Sequence, residues 1–245
     1  MKSIPTRERL IFALDVPEPA AALALVDALG DSVVFYKLGL ELLMSGGYFE
    51  LSDTLIKRGK KIFADIKFYD IPATVAAAVR GLRSRGVTFA TVHGDTRIME
   101  AAVGAAGEVK ILAVTVLTSM DKSDLAEIGY AGEVESLVLA RARQALHAGC
   151  AGVISSGVEA AAIRRDLGAQ LTIVTPGIRP LENRSSDDQK RVLTVERAFA
   201  AGADYLVIGR PIRDAADPRA AAEAIQASIA AAYPARPSAD ARAAR

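Results

Sequence analysis

The most limiting feature of this chain is an alternation. Eight short apolar runs are separated by eight stretches of helical character, spread over 245 residues. The runs are Leu10–Val16, Val33–Leu40, Ile62–Ala64, Phe89–Gly94, Lys110–Ser119, Val153–Gly157, Leu171–Arg179 and Tyr205–Arg210. Between and after them fall Ala20–Leu29, Phe49–Arg58, Pro72 to Ser84, Ile98–Ala106, Val134–His147, Val158–Leu167, Thr194–Ala200 and Ala215–Ala232. Strands alternating with helices predict a parallel sheet, and near-continuous apolar strands suit a sheet covered on both faces. A doubly wound open sheet is the rival arrangement, but no G-x-G-x-x-G follows the first run and no Walker motif occurs. Count and spacing predict an α/β chain folded as a (β/α)8 TIM barrel, a fold that typically takes about 250 residues. No Pro/Gly/Ser-rich linker divides the chain, so a single catalytic domain is expected over residues 1–233. The tail 234–245, PARPSADARAAR, lacks a periodic apolar face and is expected to be disordered.

Composition removes several classes of function. Thirty Lys and Arg balance 29 Asp and Glu, so there is no global attraction to nucleic acid or to an anionic membrane. Cys150 is the one cysteine, which excludes an internal disulfide, and His93 and His147 are too few for a His-rich metal site. The start, MKSIPTRERL, carries no apolar signal region, and runs such as Ile111 to Leu117 are too short to span a membrane. A cytoplasmic protein is expected.

The chemistry concentrates in Lys61 to Val75, KIFADIKFYDIPATV. An apolar strand runs into Asp65, Lys67 and Asp70 within six positions. Strand alternation puts Asp65 and Lys67 on one face with Ile66 opposite. Asp70 falls just past the strand, and Pro72 takes its favoured place in the first helical turn. A surface salt bridge beside a helix start is the plain reading of D-x-K-x-x-D, but here the triad extends a buried-looking strand. In barrel enzymes the reacting groups lie at the carboxyl ends of the strands. Asp15, Lys37, Asp65, Lys67, Asp70, Thr118, Arg179 and Arg210 all fall at such ends and are predicted to open onto one mouth. TPGIR (Thr175–Arg179) and IGRP (Ile208–Pro211) each set a glycine beside an arginine after strands seven and eight, where barrels commonly bind phosphate. The long polar connection from Pro180 to Leu193 is either a disordered loop or a lid over that site, with a residue such as Gln189 touching the ligand. His93 ends a strand at the mouth, where it either supports the site or packs. His147, Cys150, Met44 and Met120 are read as structural or filler residues.

These motifs resemble the orotidine 5'-phosphate decarboxylase family. LD, K-x-G, D-x-K-x-x-D-I-P, LTS, TPGIR and IGRP occur in that order, so the likeness covers Leu10 to about Ile212. The resemblance implies decarboxylation of orotidine 5'-monophosphate to uridine 5'-monophosphate in de novo pyrimidine biosynthesis, without metal or organic cofactor. It also implies a homodimer with shared sites and no nucleic-acid or membrane partner. Under it, Asp15 and Lys37 hold the ribose hydroxyls and Lys37 braces Asp65. Lys67 donates the proton, while Asp70 and Thr74 reach into the partner subunit's site. Thr118 lies over the pyrimidine, and Arg179, Gln189, Gly209 and Arg210 hold phosphate. Losing CO2 leaves an electron pair on C6 with no conjugated sink, so a fixed ammonium would stabilise and then protonate it. The nearest rivals are Mg²⁺-dependent sugar-phosphate enzymes of the same barrel group, of the 3-keto-gulonate-phosphate decarboxylase or hexulose-phosphate synthase type. They share D-x-K-x-x-D, but the DIP continuation, LTS and TPGIR favour the nucleotide enzyme. A non-catalytic phosphate sensor would be expected to have lost Lys67 or a flanking aspartate, and this chain keeps them.

Overall fold

A computed structural model describes residues 2–178 and 193–233. Its strands are β1 Leu10–Ala13, β2 Phe35–Leu38, β3 Lys61–Phe68, β4 Phe89–His93, β5 Lys110–Val114, β6 Gly152–Ile154, β7 Thr172–Thr175 and β8 Tyr205–Ile208. Each pairs in parallel with the next, and β8 pairs with β1, so the sheet closes into a barrel. The eight principal helices are α1 Pro19–Leu29, α2 Tyr48–Lys57, α3 Pro72–Arg83, α4 Thr96–Ala106, α5 Val134–His147, α6 Gly157–Leu167, α7 Val195–Ala200 and α8 Pro218–Ala232. This is the expected (β/α)8 barrel. The 179–192 segment, with Arg179 and Gln189, and the 234–245 tail lie outside the described residues.

Strand alternation separates two cores. Leu10 and Phe12 of β1 face outward into the layer between sheet and helices. Ile11 and Ala13 face inward, with Phe35, Phe63, Phe89, Leu112, Val174, Tyr205 and Val207. Four of the inward rings interlock: Phe89 lies 5.2 Å from Phe35, 6.0 Å from Phe63 and 5.3 Å from Tyr205 between centroids. The contacts with Phe63 and Tyr205 are edge-on, which suits the aromatic quadrupole, and that with Phe35 is tilted. The barrel is therefore plugged below its mouth, and the site above it has an apolar floor.

The amino-terminal end of the barrel is closed by charge pairing. The Asp204 carboxylate, just before β8, accepts from Lys2 Nζ at 3.1 Å, Arg164 Nη2 at 2.5 Å and the Ile173 amide at 3.0 Å. Arg9 donates to the Asp204 carbonyl and stacks over the Tyr233 ring. Sheet pairing ends earlier than the apolar runs suggest: β5 stops at Val114 and β7 at Thr175, because the following segments peel away into the loops of the mouth. Short helices at Leu40–Met44, Lys122–Glu127 and Arg210–Arg213 also escape a reading by periodicity, being too brief to show one.

Candidate active site

β3 does not run regularly to its end. Ala64 pairs with Ala90 but Phe68 pairs with Val92, so four steps on β3 oppose two on β4. Such a bulge bends its strand and re-aims side chains. Lys67 lies within it at φ +55°, the one non-glycine with positive φ among the described residues. A left-handed lysine costs on the order of 1–3 kcal/mol and persists only where its surroundings over-determine it. Ile66 and Phe68 still pack outward against the helix layer, while Asp65 and Lys67 meet each other.

Around Asp65 the charges alternate without a break. Lys67 Nζ donates to Asp65 Oδ1 at 2.9 Å. Asp65 Oδ2 lies 3.7 Å from Lys37 Nζ, which in turn donates to Asp15 Oδ1 at 2.9 Å. The Lys37 and Asp65 side chains are only 11% and 12% exposed, so neither could stay charged alone. Burial by itself would raise the Asp65 carboxyl, but the Lys37 and Lys67 ammoniums, with hydrogen bonds from Lys67 and Thr91, hold it below the ordinary carboxylate value. Burial would likewise lower Lys37, but Asp65 and Asp15 overcome it and leave that ammonium above the ordinary lysine value. The array is stable only as a set.

Gly39 explains the K-x-G spacing. A Cβ there would come within 3.1 Å of Asp15 Oδ1 and 3.2 Å of Lys37 Nζ, so the pair occupies the room a side chain would need.

A cavity of about 510 Å³ opens at the carboxyl ends of the strands. Asp15, Lys37, Asp65, Lys67, Thr118, Gly209 and Arg210 line it, with Phe63, Val114, Ile154 and Val207 as apolar wall and floor. The cavity thus sets an apolar wall and floor beside a charge array. Gly209 and Arg210 follow β8 at the mouth, and Arg210 is exposed.

Asp70 and Thr74 are placed differently. Both are exposed, neither is among the described residues lining the cavity, and Asp70 Oδ1 accepts the Ile71 amide at 2.6 Å. Within one chain, the described residues do not bring Asp70 to the cavity wall beside Lys67. His93 is half-buried with its ring 4.9 Å from Tyr69, and burial, then Arg141 and Lys67, hold its imidazole below the ordinary value. Cys150 is buried and its thiol is pushed up to about 12 by burial. Met44 is exposed and Met120 packs against the core.

Two contributors went unread in the sequence. Arg213 lines the cavity and donates from Nη1 to the Asp15 carbonyl at 2.8 Å, holding the loop after β1. Thr91, fully buried on β4, bonds to both Lys67 and Asp65. Its position between Phe89 and His93 on the inward face was the available signal.

Fold and site together define a parallel barrel of the enzyme kind, with a lysine–aspartate array set over an apolar floor at its mouth. Residues 8–225 match the family described as Orotidine 5'-phosphate decarboxylase / HUMPS. The chain belongs to that family. It is 58% identical over 228 residues to the orotidine 5'-phosphate decarboxylase of Methylococcus capsulatus, covering 93% of this chain and 94% of that one. The Stenotrophomonas maltophilia protein of the same name is 54% identical over 231 residues, covering 94% and 95%. Among solved structures, the orotidine 5'-phosphate decarboxylase of Lactobacillus acidophilus superposes with a TM-score of 0.79 at 34% identity, covering 91% of this chain and 99% of that one. Among the described residues, no helix is long and apolar enough to cross a membrane.

Proposed function

We propose that this chain decarboxylates orotidine 5'-monophosphate to uridine 5'-monophosphate, with Lys67 as the group that stabilises and protonates C6. The observation that carries the reading is the unbroken Lys67–Asp65–Lys37–Asp15 array along one wall of the cavity. The near full-length likeness to proteins named for that activity supports the choice of substrate. The C6–carboxylate bond breaks heterolytically, CO2 leaves, and the electron pair stays on C6. An ammonium already fixed beside that carbon needs little reorganisation as the charge develops. Lys67 then transfers a proton to C6 and regains one from water. Lys37 and Asp15 bind the ribose hydroxyls, and Thr118 covers the pyrimidine. Arg210, the Gly209 backbone, Arg179 and Gln189 take the phosphate, whose binding energy can be spent on lowering the chemical barrier. The reaction needs no metal or organic cofactor, and undiminished turnover in excess chelator separates it from a Mg²⁺-dependent sugar-phosphate reaction.

The working form is a cytoplasmic homodimer in which Asp70 and Thr74 complete the partner's site. Asp70 lies between Tyr69 and Ile71, which are 69% and 67% exposed; apolar side chains so placed favour a covering surface. Mixing Lys67→Ala with Asp70→Asn protein under subunit exchange tests this. In each mixed dimer one site receives both defects and the other neither, so random exchange restores about a quarter of parental activity. If mass spectrometry finds mixed dimers as inactive as their parents, the sites are not shared.

A further inference from the structure

The hydroxyl of Thr91 occupies the place where the β3 bulge breaks the sheet ladder. Thr91 projects inward from β4, below the array, and is fully buried. Lys67 N donates to Thr91 Oγ1 at 2.9 Å, and Thr91 Oγ1 lies 2.9 Å from Asp65 Oδ1. The direction of both bonds follows from chemistry: a backbone amide can only donate and an ionised carboxylate can only accept. The single hydroxyl proton is therefore committed to Asp65, and an oxygen lone pair to the Lys67 amide.

Asp65 Oδ1 also receives the Lys67 ammonium. One oxygen of Thr91 thus ties the left-handed backbone of Lys67 to the carboxylate that orients its own side chain. In a regular continuation of β3 that amide would face β2, as Lys61 N does in donating to the Val34 carbonyl; the bulge turns it toward β4, where it meets Thr91 Oγ1. We infer that Thr91 is a positioning residue for the reaction, its hydroxyl holding Lys67 and Asp65 in register with each other. Thr91 is not among the described residues lining the cavity, so it acts through Lys67 and Asp65 and not on the ligand.

This inference rests on Lys67 and Asp65 being the reacting pair, which the Lys67→Ala variant tests separately. Three variants separate the hydroxyl from the packing. Thr91→Val keeps the shape and loses the hydroxyl, Thr91→Ser keeps the hydroxyl and loses the methyl, and Thr91→Ala loses both. Losing a hydrogen bond to a charged group, and leaving the half-buried Lys67 amide without its partner, should lower kcat about 10- to 100-fold in Thr91→Val. KM and the affinity for uridine 5'-monophosphate should stay within about threefold, because the ligand-facing groups are untouched. The acid limb of the kcat/KM profile should move to higher pH in Thr91→Val, since Asp65 loses a donor to its charged form. Thr91→Ser should recover most of the loss and restore the acid limb.

Parental kcat in Thr91→Val, or equal losses in Thr91→Val and Thr91→Ser, would overturn the inference. So would a loss carried wholly by KM. If Thr91→Val does not fold, the Ala and Ser variants decide: Ser at least about tenfold more active than Ala supports the role, and equal activities refute it. A dead Lys67→Ala enzyme alongside unaffected Thr91 variants would remove only the role of Thr91.

Discussion

Replacing Asp65 by asparagine should unsettle the whole charge array, and the structure sets the size of the effect. Asp65 contacts Lys67 at 2.9 Å and Lys37 at 3.7 Å, with its own side chain 12% exposed. Asparagine keeps the shape and an accepting oxygen for Lys67 or Thr91, but leaves two ammoniums facing a neutral amide. Breaking a buried pair from one side costs roughly 3–5 kcal/mol. Lys67 is 32% exposed, so water screens part of its share, and about 2–4 kcal/mol is expected at neutral pH. For a chain of this size that corresponds to about 5–15 °C in Tm. The pH dependence has a definite sign. Asp65 is depressed in the folded protein, so its contribution exists above the ordinary carboxylate value and is lost as pH falls through the lower folded value. Lys37 is raised, so its contribution exists below the ordinary lysine value and is lost as pH rises through the higher folded value. The cost of Asp65→Asn should therefore be flat from about pH 5 to 9 and shrink beyond either end. The assay is denaturant unfolding at fixed protomer concentration for the parent, Asp65→Asn, Lys37→Met and the double variant. The cycle should show at least about 1 kcal/mol of coupling between the two sites. A cost below about 0.5 kcal/mol with no coupling would refute the reasoning.

Gly39→Ala should fold normally, since its φ of −104° suits any residue, yet push Asp15 and Lys37 apart. Affinity for uridine 5'-monophosphate by calorimetry should fall about tenfold, the effect of one lost charge-assisted bond, and an unchanged Kd would refute the close-approach argument. At the other end of the barrel, Asp204→Ala strips Lys2, Arg164 and the Ile173 amide of their shared acceptor. It should cost about 3–5 kcal/mol in unfolding experiments while leaving kcat at 25 °C within about twofold. A large loss of kcat in the folded variant would show that the two ends of the barrel are coupled.

Much of this was legible because barrel strands are buried on both faces and announce themselves as apolar runs. LIFA, FYKL and YLVI each read as a strand, and each ends at the mouth beside Asp15, Lys37 or Arg210. What stayed hidden depended on pairing partners. Nothing in DIKF marks a left-handed residue: no glycine or asparagine stands there, and Lys67 takes φ +55° because β4 and Thr91 hold it so. Nothing in the sequence ties Arg213 to the loop after β1; only the fold sets it against the Asp15 carbonyl. Asp70 shows the converse difficulty. Its spacing from Lys67 is that of a neighbour, but it sits exposed in the turn after β3 and is not among the described residues that line the cavity of its own chain.

The central claim is that Lys67 carries the proton and the main countercharge at C6, and Lys67→Ala tests it most directly. The measurement is ultraviolet detection of orotidine 5'-monophosphate loss at saturating variant enzyme, beside calorimetric binding of uridine 5'-monophosphate. Removing a general acid that also stabilises the developing charge should lower kcat by at least about 10⁴-fold, while the product nucleotide still binds through the ribose and phosphate contacts. A folded Lys67→Ala enzyme turning over within about tenfold of the parent would contradict the account.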